Sequence, residues 1–463
     1  MHKNIDFLRA SNLHPEEHRQ ALEATQANIL KGTGRHYQSF ILFSVRPNKV
    51  ETFKQWIKHF TPTSAWEQYQ HSSERQEKGS EYKERIVKTM GLSGKGITLL
   101  NLTDAFSTHT SFSKGMRENN LKDSVPYTWE EGYKKIPDGI IALATNDRTE
   151  LYKLKNDIEK ELDTFCDSVF SERGEKLVNV VGGQSLTIEH FGYRDGISQP
   201  YFFQPQKEEK NQHWSDMAKP QLVLIDDPLS GGETGFGSFM VFRKLEQNVK
   251  AFKEKEHLLA QQLGFTEEME ELAGALIVGR SENGMPVLIH GSTANTEAPS
   301  IENNFNYSLD PEGIRCPFHS HIRKSNPRGD TERFFGTSAK EEQLHRIVRR
   351  GISYDDVGRN GNLEVYPEEG VGLLFICFQS SIENQFEFIQ NNWVDNPDFP
   401  KTATGIDPLI GQGHIRRDED GAAFEQKWTD VKNNSVCSGL SDFVTLKGGE
   451  YFYLPSTTFF KQK

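Results

Sequence analysis

Short apolar runs recur along the chain, and between them lie stretches where apolar positions fall three or four residues apart. Runs of this kind predict strands at residues 39–45 (SFILFSV), 97–102, 139–144 (GIIALA), 237–243, 372–378 and 451–454. Helical spacing, or composition rich in helix formers, predicts helices over 12–30, 50–60, 149–170, 245–263, 341–349 and 381–393. Strands and helices interleave in both halves, which predicts an α+β chain with antiparallel sheets and peripheral helices. The halves share this layout without a visible sequence repeat. Between 203 and 237 the composition turns polar and then rich in turn formers, as in DDPLSGGETGFG, so the domain boundary is expected at 215/216.

At 463 residues the chain exceeds what one core usually serves, in keeping with two units. Phenylalanine occurs 31 times, which is ample for an apolar cofactor pocket as well as for cores. A net charge of −12 argues against nucleic acid or an anionic membrane, both of which call for a basic footprint. The four cysteines (Cys166, Cys316, Cys377 and Cys437) are scattered without a CxxC pair, which argues against a disulfide framework and against a cysteine zinc site. No secretory signal and no membrane-length apolar run is visible, so a cytoplasmic protein is expected.

Three segments could carry chemistry. In GYRDGISQP (192–200) two glycines bracket Asp195, a candidate general base; such an acid is more commonly a solvated turn residue. In CPFHSHIRKSNPR (316–328), His319 and His321 would point the same way on a strand. That makes a poor zinc motif without a nearby carboxylate, and a single imidazole is also the usual haem ligand. Arg323, Lys324 and Arg328 could meet an anion such as a propionate, or form an ordinary charged face. In IVRRGISY (347–354), Arg349 and Arg350 are expected at a helix end, where they would complement the dipole or turn a guanidinium into a site.

Taken together and in this order, the three segments resemble the dye-decolorising peroxidase family, in its larger fungal- and cyanobacterial-like branch. QANILKG (26–32), GSFMVFRKLEQ (237–247), LFICFQ (374–379) and GEYFYLP (449–455) extend the resemblance over most of the chain. It implies two ferredoxin-like units with a haem b pocket mainly in the C-terminal half. It implies His321 as the axial iron ligand, Asp195 and Arg349 as catalytic residues, and Gly192, Gly196, Ile197, Ser198 and Arg323 against the cofactor. The implied reaction reduces hydrogen peroxide through an oxyferryl haem and oxidises bulky aromatic donors such as dyes and phenols, with Tyr354 or Trp393 as surface relays. Ser353 and Asp355 replace residues that are often Pro and Gly in the family. Where some branches place an acid behind the proximal histidine, this chain has Ser381, so Glu383 or Glu387 is expected to serve. Two other readings remain: a haem- or iron-handling protein, which needs His321 alone, and a metal-dependent hydrolase using His319 and His321.

Overall fold

The computed structural model describes residues 2–119, 121–181, 183–205, 217–290, 302–359, 361–412, 422–427, 430–437 and 443–462. The boundary expected at 215/216 therefore lies outside the described residues. Of the cysteines, Cys166, Cys316 and Cys377 are buried free thiols. Among the described residues, no helix is long and apolar enough to cross a membrane.

The first half runs β1 (Tyr37–Val45), helix Val50–His59, β2 (Val87–Ser93), β3 (Gly139–Thr145), helix Arg148–Asp163 and β4 (Cys166–Glu175). All pairings are antiparallel, in the spatial order β4-β1-β3-β2. A hairpin of β5 (Leu177–Val181) and β6 (Gln184–Ile188) follows, then the short β7 (Ile225–Asp226). The second half begins with β8 (Phe236–Gln247) and helix Val249–Leu263. It continues through β9 (Val348–Arg349), β10 (Ile352–Asp355), β11 (Val371–Gln379), the hairpin β12 (Ala422–Lys427) and β13 (Asp430–Cys437), and β14 (Val444–Leu454). Its order, β14-β8-β11-β10, repeats that of the first half strand for strand. Each half is thus a ferredoxin-like βαββαβ unit. Pairing of β14 with β2 fuses the two sheets into one of 10 strands. At the free edges, Gly174 on β4 packs against Ile352 on β10, which brings the sheet close to a ring. One apolar cluster fills the inner face, with Phe40, Ile140, Phe242 and Phe452; another, with Ile41, Phe43, Ile141 and Val241, lies under the helices. This is the period-two alternation of strands buried on both faces.

Several elements differ from the sequence expectation. Residues 97–102 do not form a strand. Ser93 accepts the Gly96 N–H and caps helix Gly94–Leu99, which buries Ile97, with Leu100 buried at its C-cap three residues on. The expected helix over 12–30 shrinks to Arg19–Ala24, because Gln26 instead bonds Met90 on β2 and Pro455 after β14. Helix Arg148–Asp163 stops early, and the rest of the expected 149–170 helix becomes β4. In the same way, β8 runs on to Gln247 before Asn248 caps the next helix. Over 381–393 a short turn, Phe386–Phe388, runs into a π-helical turn, Ile389–Val394.

Candidate active site

Strand β8 places Arg243, Leu245 and Gln247 on one face, and β11 places Leu373 and Phe375 on the same side. These walls, the 189–200 loop, helix His321–Ser325 and the segments around 389–393 and 409–412 enclose a largely apolar cavity of about 300 Å³. Asp195, Gly196, Ile197, Ser198, His321 and Arg349 all line it.

His321 is the first residue of its helix, not part of a strand. The chain turns at Ser320, whose hydroxyl donates to Leu276 O at 2.5 Å. His319 therefore does not point the same way as His321: it is buried and absent from the cavity wall, and burial pushes its imidazole down to about 3. His321 Nδ1 lies 2.8 Å from Asp407 Oδ2, and Asp407 Oδ1 accepts the Leu409 and Ile410 N–H groups. Burial alone would raise the Asp407 carboxyl, but His321 and these hydrogen bonds hold it below the usual carboxylate range. Asp407 thus fixes the ring, which presents its other nitrogen to the cavity.

Glu383 and Glu387 do not back the histidine. Glu383 accepts the Ser111 N–H, and Glu387 accepts the hydroxyls of Ser111 and Tyr451. Arg323 is also not a cavity residue. Its guanidinium, fully buried, pairs with Asp330 and Asp310 and anchors the helix from behind. Lys324 is buried too, with Nζ donating to the carbonyls of Asn396, Phe399 and Gly405. Burial pushes its ammonium down to about 7, against the pull of the nearby Asp407, Asp395 and Asp398 carboxylates.

The Asp195 loop is shaped by Glu189, whose carboxylate accepts the Phe191 and Tyr193 N–H groups at 2.9 Å and the Gln247 amide. Burial pushes Glu189 up to about 7. Gly192 does not line the cavity. It turns the loop at φ +106°, where a Cβ would also meet Glu282. Arg349 sits on β9, in register with Cys377 of β11, instead of at a helix end. Its Nη2 donates to Ile197 O at 2.8 Å and its N–H to Gln199 Oε1 at 3.1 Å, which ties the arginine to the Asp195 loop. It makes no ion pair with Asp195, so its contacts are with the acid's loop and not with the carboxylate. Arg350 turns away and bonds Asn28 O and Ile29 O.

Four more arginines line the cavity: Arg194, Arg280, Arg328 and Arg346. Burial pushes Arg280 and Arg346 down to about 10, and Arg328 beside them adds to it. The Nε of Arg346 is buried without an acceptor among the described residues. Glu342 lies in the same wall and offsets part of the charge of Arg328 and Arg346, and the surplus of guanidiniums around a largely apolar cavity suits a flat apolar ligand with anionic substituents. Of these groups, only Arg328 was marked in the sequence. Asp407, in GIDPL, carries no local signal that separates it from a turn residue. Tyr354 and Trp393 are both buried, so neither offers a surface relay.

Residues 24–176 match the family described as DyP dimeric alpha+beta barrel domain, and residues 191–403 match Dyp-type peroxidase, C-terminal. The multifunctional dye peroxidase DyP2 of Amycolatopsis sp. is 36% identical over 389 residues, covering 80% of this chain and 81% of its own. The crystal structure of the DyP-type peroxidase of Anabaena sp. superposes with a TM-score of 0.89 at 36% identity, over 100% of this chain and 99% of that one. A dye-decolorizing peroxidase solved as a complex with 2,6-dimethoxyphenol superposes at 0.72 with 26% identity, over 96% and 98%. The chain belongs to the DyP-type peroxidase family and is a peroxidase.

Proposed function

We propose that this peroxidase, which would hold one haem b in the cavity through His321, reduces hydrogen peroxide there and draws the electrons from bulky aromatic donors such as dyes and phenols. The observation that carries this reading is the pairing of His321 with buried Asp407 at the wall of an apolar cavity edged by arginines. DyP-type peroxidases are haem enzymes, and the residues present suit the group. The His321 imidazole is oriented from behind, apolar side chains would cover the macrocycle, and the orphaned Nε of Arg346 would meet a propionate. Bound there, haem would supply the iron that reduces peroxide and would store the oxidising equivalents.

The chain's own residues then have separate tasks. Asp407 holds the proton at His321 Nδ1 and makes the ring a stronger donor. Asp195, on its clamped loop, takes a proton from peroxide and returns it to the departing oxygen, directly or through water. Arg349 stabilises the negative charge that grows on that oxygen. Each peroxide yields two waters and two one-electron-oxidised donor molecules. A phenolic donor agrees with the 2,6-dimethoxyphenol bound by the structural relative. A haem-handling protein would need neither Asp195 nor Arg349 at the cavity wall, whereas both stand there. The test is the Soret band of the purified protein together with peroxide-dependent oxidation of 2,6-dimethoxyphenol and an anthraquinone dye. Absence of haem would overturn the whole reading, and haem without turnover would leave only the handling role.

A further inference from the structure

Asp407 lies in a long connection with no ladder of its own, yet its carboxylate must meet His321 at hydrogen-bond distance. From Asp395 to Gln412 the chain has no regular strand or α-helix; its backbone bonds are local turns (Phe399 N–H to Asn396 O, Thr404 N–H to Lys401 O, Gly405 N–H to Pro397 O, Gly411 N–H to Asp407 O) and one bond from Asp407 N–H to Val394 O just before it. Among the described residues, the loop's hydrogen bonds to the histidine helix, apart from that of Asp407 itself, come from Lys324. Its Nζ lies 2.6 Å from Asn396 O, 2.8 Å from Phe399 O and 2.7 Å from Gly405 O. An ammonium has three donors, and here all three go to one loop.

His321 and Lys324 stand three apart on the same short helix, so they share a face. We propose that Lys324 is a positioning residue for Asp407: it gathers the 396–405 loop onto the helix that carries His321, and so sets where the Asp407 carboxylate meets Nδ1. The helix itself has separate anchors, the Arg323 pairs with Asp310 and Asp330 and the Ser320 bond to Leu276 O. Loss of Lys324 therefore leaves His321 in place. It strands the buried carbonyls of Phe399 and Gly405, which must then find new partners by moving the loop. The charge of Lys324 alone does not account for this arrangement, because a cation placed only to balance Asp407 would face a carboxylate, not three carbonyls.

Two measurements test this. The first uses haem-free protein with 15N-labelled histidine. The His321 Nδ1 proton, held against a buried carboxylate, is expected as a slowly exchanging downfield resonance. Asp407→Asn and Lys324→Met are both expected to lose it or to speed its exchange at least tenfold. The second uses the haem-loaded protein and reads the iron midpoint potential. A weakened Asp407 contact makes the imidazole a poorer donor, so the potential should rise in both variants. The double variant Lys324→Met/Asp407→Asn should rise no further than Asp407→Asn alone. A wild-type proton resonance in Lys324→Met, or additive shifts in the double variant, would overturn the proposal. Should Lys324→Met not fold, Lys324→Arg is the variant to read. It keeps the charge but cannot seat a planar fork among three carbonyls, and wild-type values for both readouts would likewise overturn the proposal. The redox arm rests on His321 as iron ligand and the haem-free arm does not. Loss of the proton in both variants with no change of potential in Asp407→Asn would count against the haem reading and for the Lys324 link.

Discussion

Oδ2 of Asp407 stands 2.8 Å from Nδ1 of His321, across 86 residues of sequence. This contact separates His321 from His319, which lies two residues away, buried and off the cavity wall. His321→Ala is expected to lose most of its haem or to shift its spectrum to a new axial ligand. His319→Ala should keep a wild-type Soret band. Absorption spectra after reconstitution with equal haem check this, and the reverse pattern would remove His321 from the iron.

Asp195 and Arg349 line the cavity without ligating iron in the proposed arrangement, and Arg349 is bonded to the Asp195 loop at Ile197 O. Asp195→Asn and Arg349→Leu should therefore both retain haem and slow the first reaction with peroxide. Removing one preorganised charge donor typically costs about 2.7–4 kcal/mol, or roughly a hundred- to a thousandfold in rate. The arginine should matter at least as much as the acid, since a water can carry a proton but cannot supply a fixed positive charge. Stopped-flow absorbance at the Soret band measures this step, and wild-type rates in both variants would refute the assignment.

How much of this was legible beforehand follows from the range of each interaction. The acid, the histidine and the Arg349 segment could be named from sequence because each lies in a contiguous motif, and all three line the cavity. Asp407 was not, because its role arises only when a loop far along the chain folds onto the histidine helix; the expectation fell instead on Glu383 and Glu387, which face Ser111 and Tyr451. Arg323 looked like an anion ligand because Asp310 and Asp330, which neutralise it, are visible only in three dimensions. In the fold, the apolar strands β1, β3, β8 and β11 announced themselves. Strands β2 and β4 did not: VKTMGLS and CDSVFSERGE carry polar residues whose partners come from elsewhere in the chain. For β4, nothing in the preceding helix marked its end.

Arg346 has its Nε buried without an acceptor among the described residues, and burial pushes its guanidinium down to about 10. If that atom meets a haem propionate, Arg346→Leu should weaken haem retention without changing the iron's axial ligand. Hydrogen bonds to charged groups contribute about 1.5–3 kcal/mol, which corresponds to roughly a tenfold to a hundredfold loss of affinity. Haem transfer to an excess of apomyoglobin reads the off-rate. An unchanged off-rate would place the propionates elsewhere on the cavity rim.

Outside the cavity wall, the Glu450 carboxyl is buried on β14, with Oε1 accepting the Met116 N–H at 2.7 Å and the Tyr451 N–H at 2.8 Å. Burial pushes it up to about 7, and those two bonds and Arg117 hold it from rising further. The sign of the stability effect follows from proton counting. Between its ordinary value near 4.5 and about 7, the folded protein keeps a proton that the unfolded chain has released. Folding stability attributable to this group therefore falls as pH rises through that window and is level above it. One pKa unit corresponds to about 1.36 kcal/mol, so the full effect is on the order of 3 kcal/mol. Glu450→Gln keeps an oxygen for both N–H groups and cannot ionise. Relative to wild type, the variant should thus gain stability on going from pH 5 to pH 8. Chemical denaturation of both haem-free proteins at the two pH values gives the difference directly. Equal differences at pH 5 and pH 8 would mean that Glu450 ionises as freely in the folded protein as in the unfolded chain.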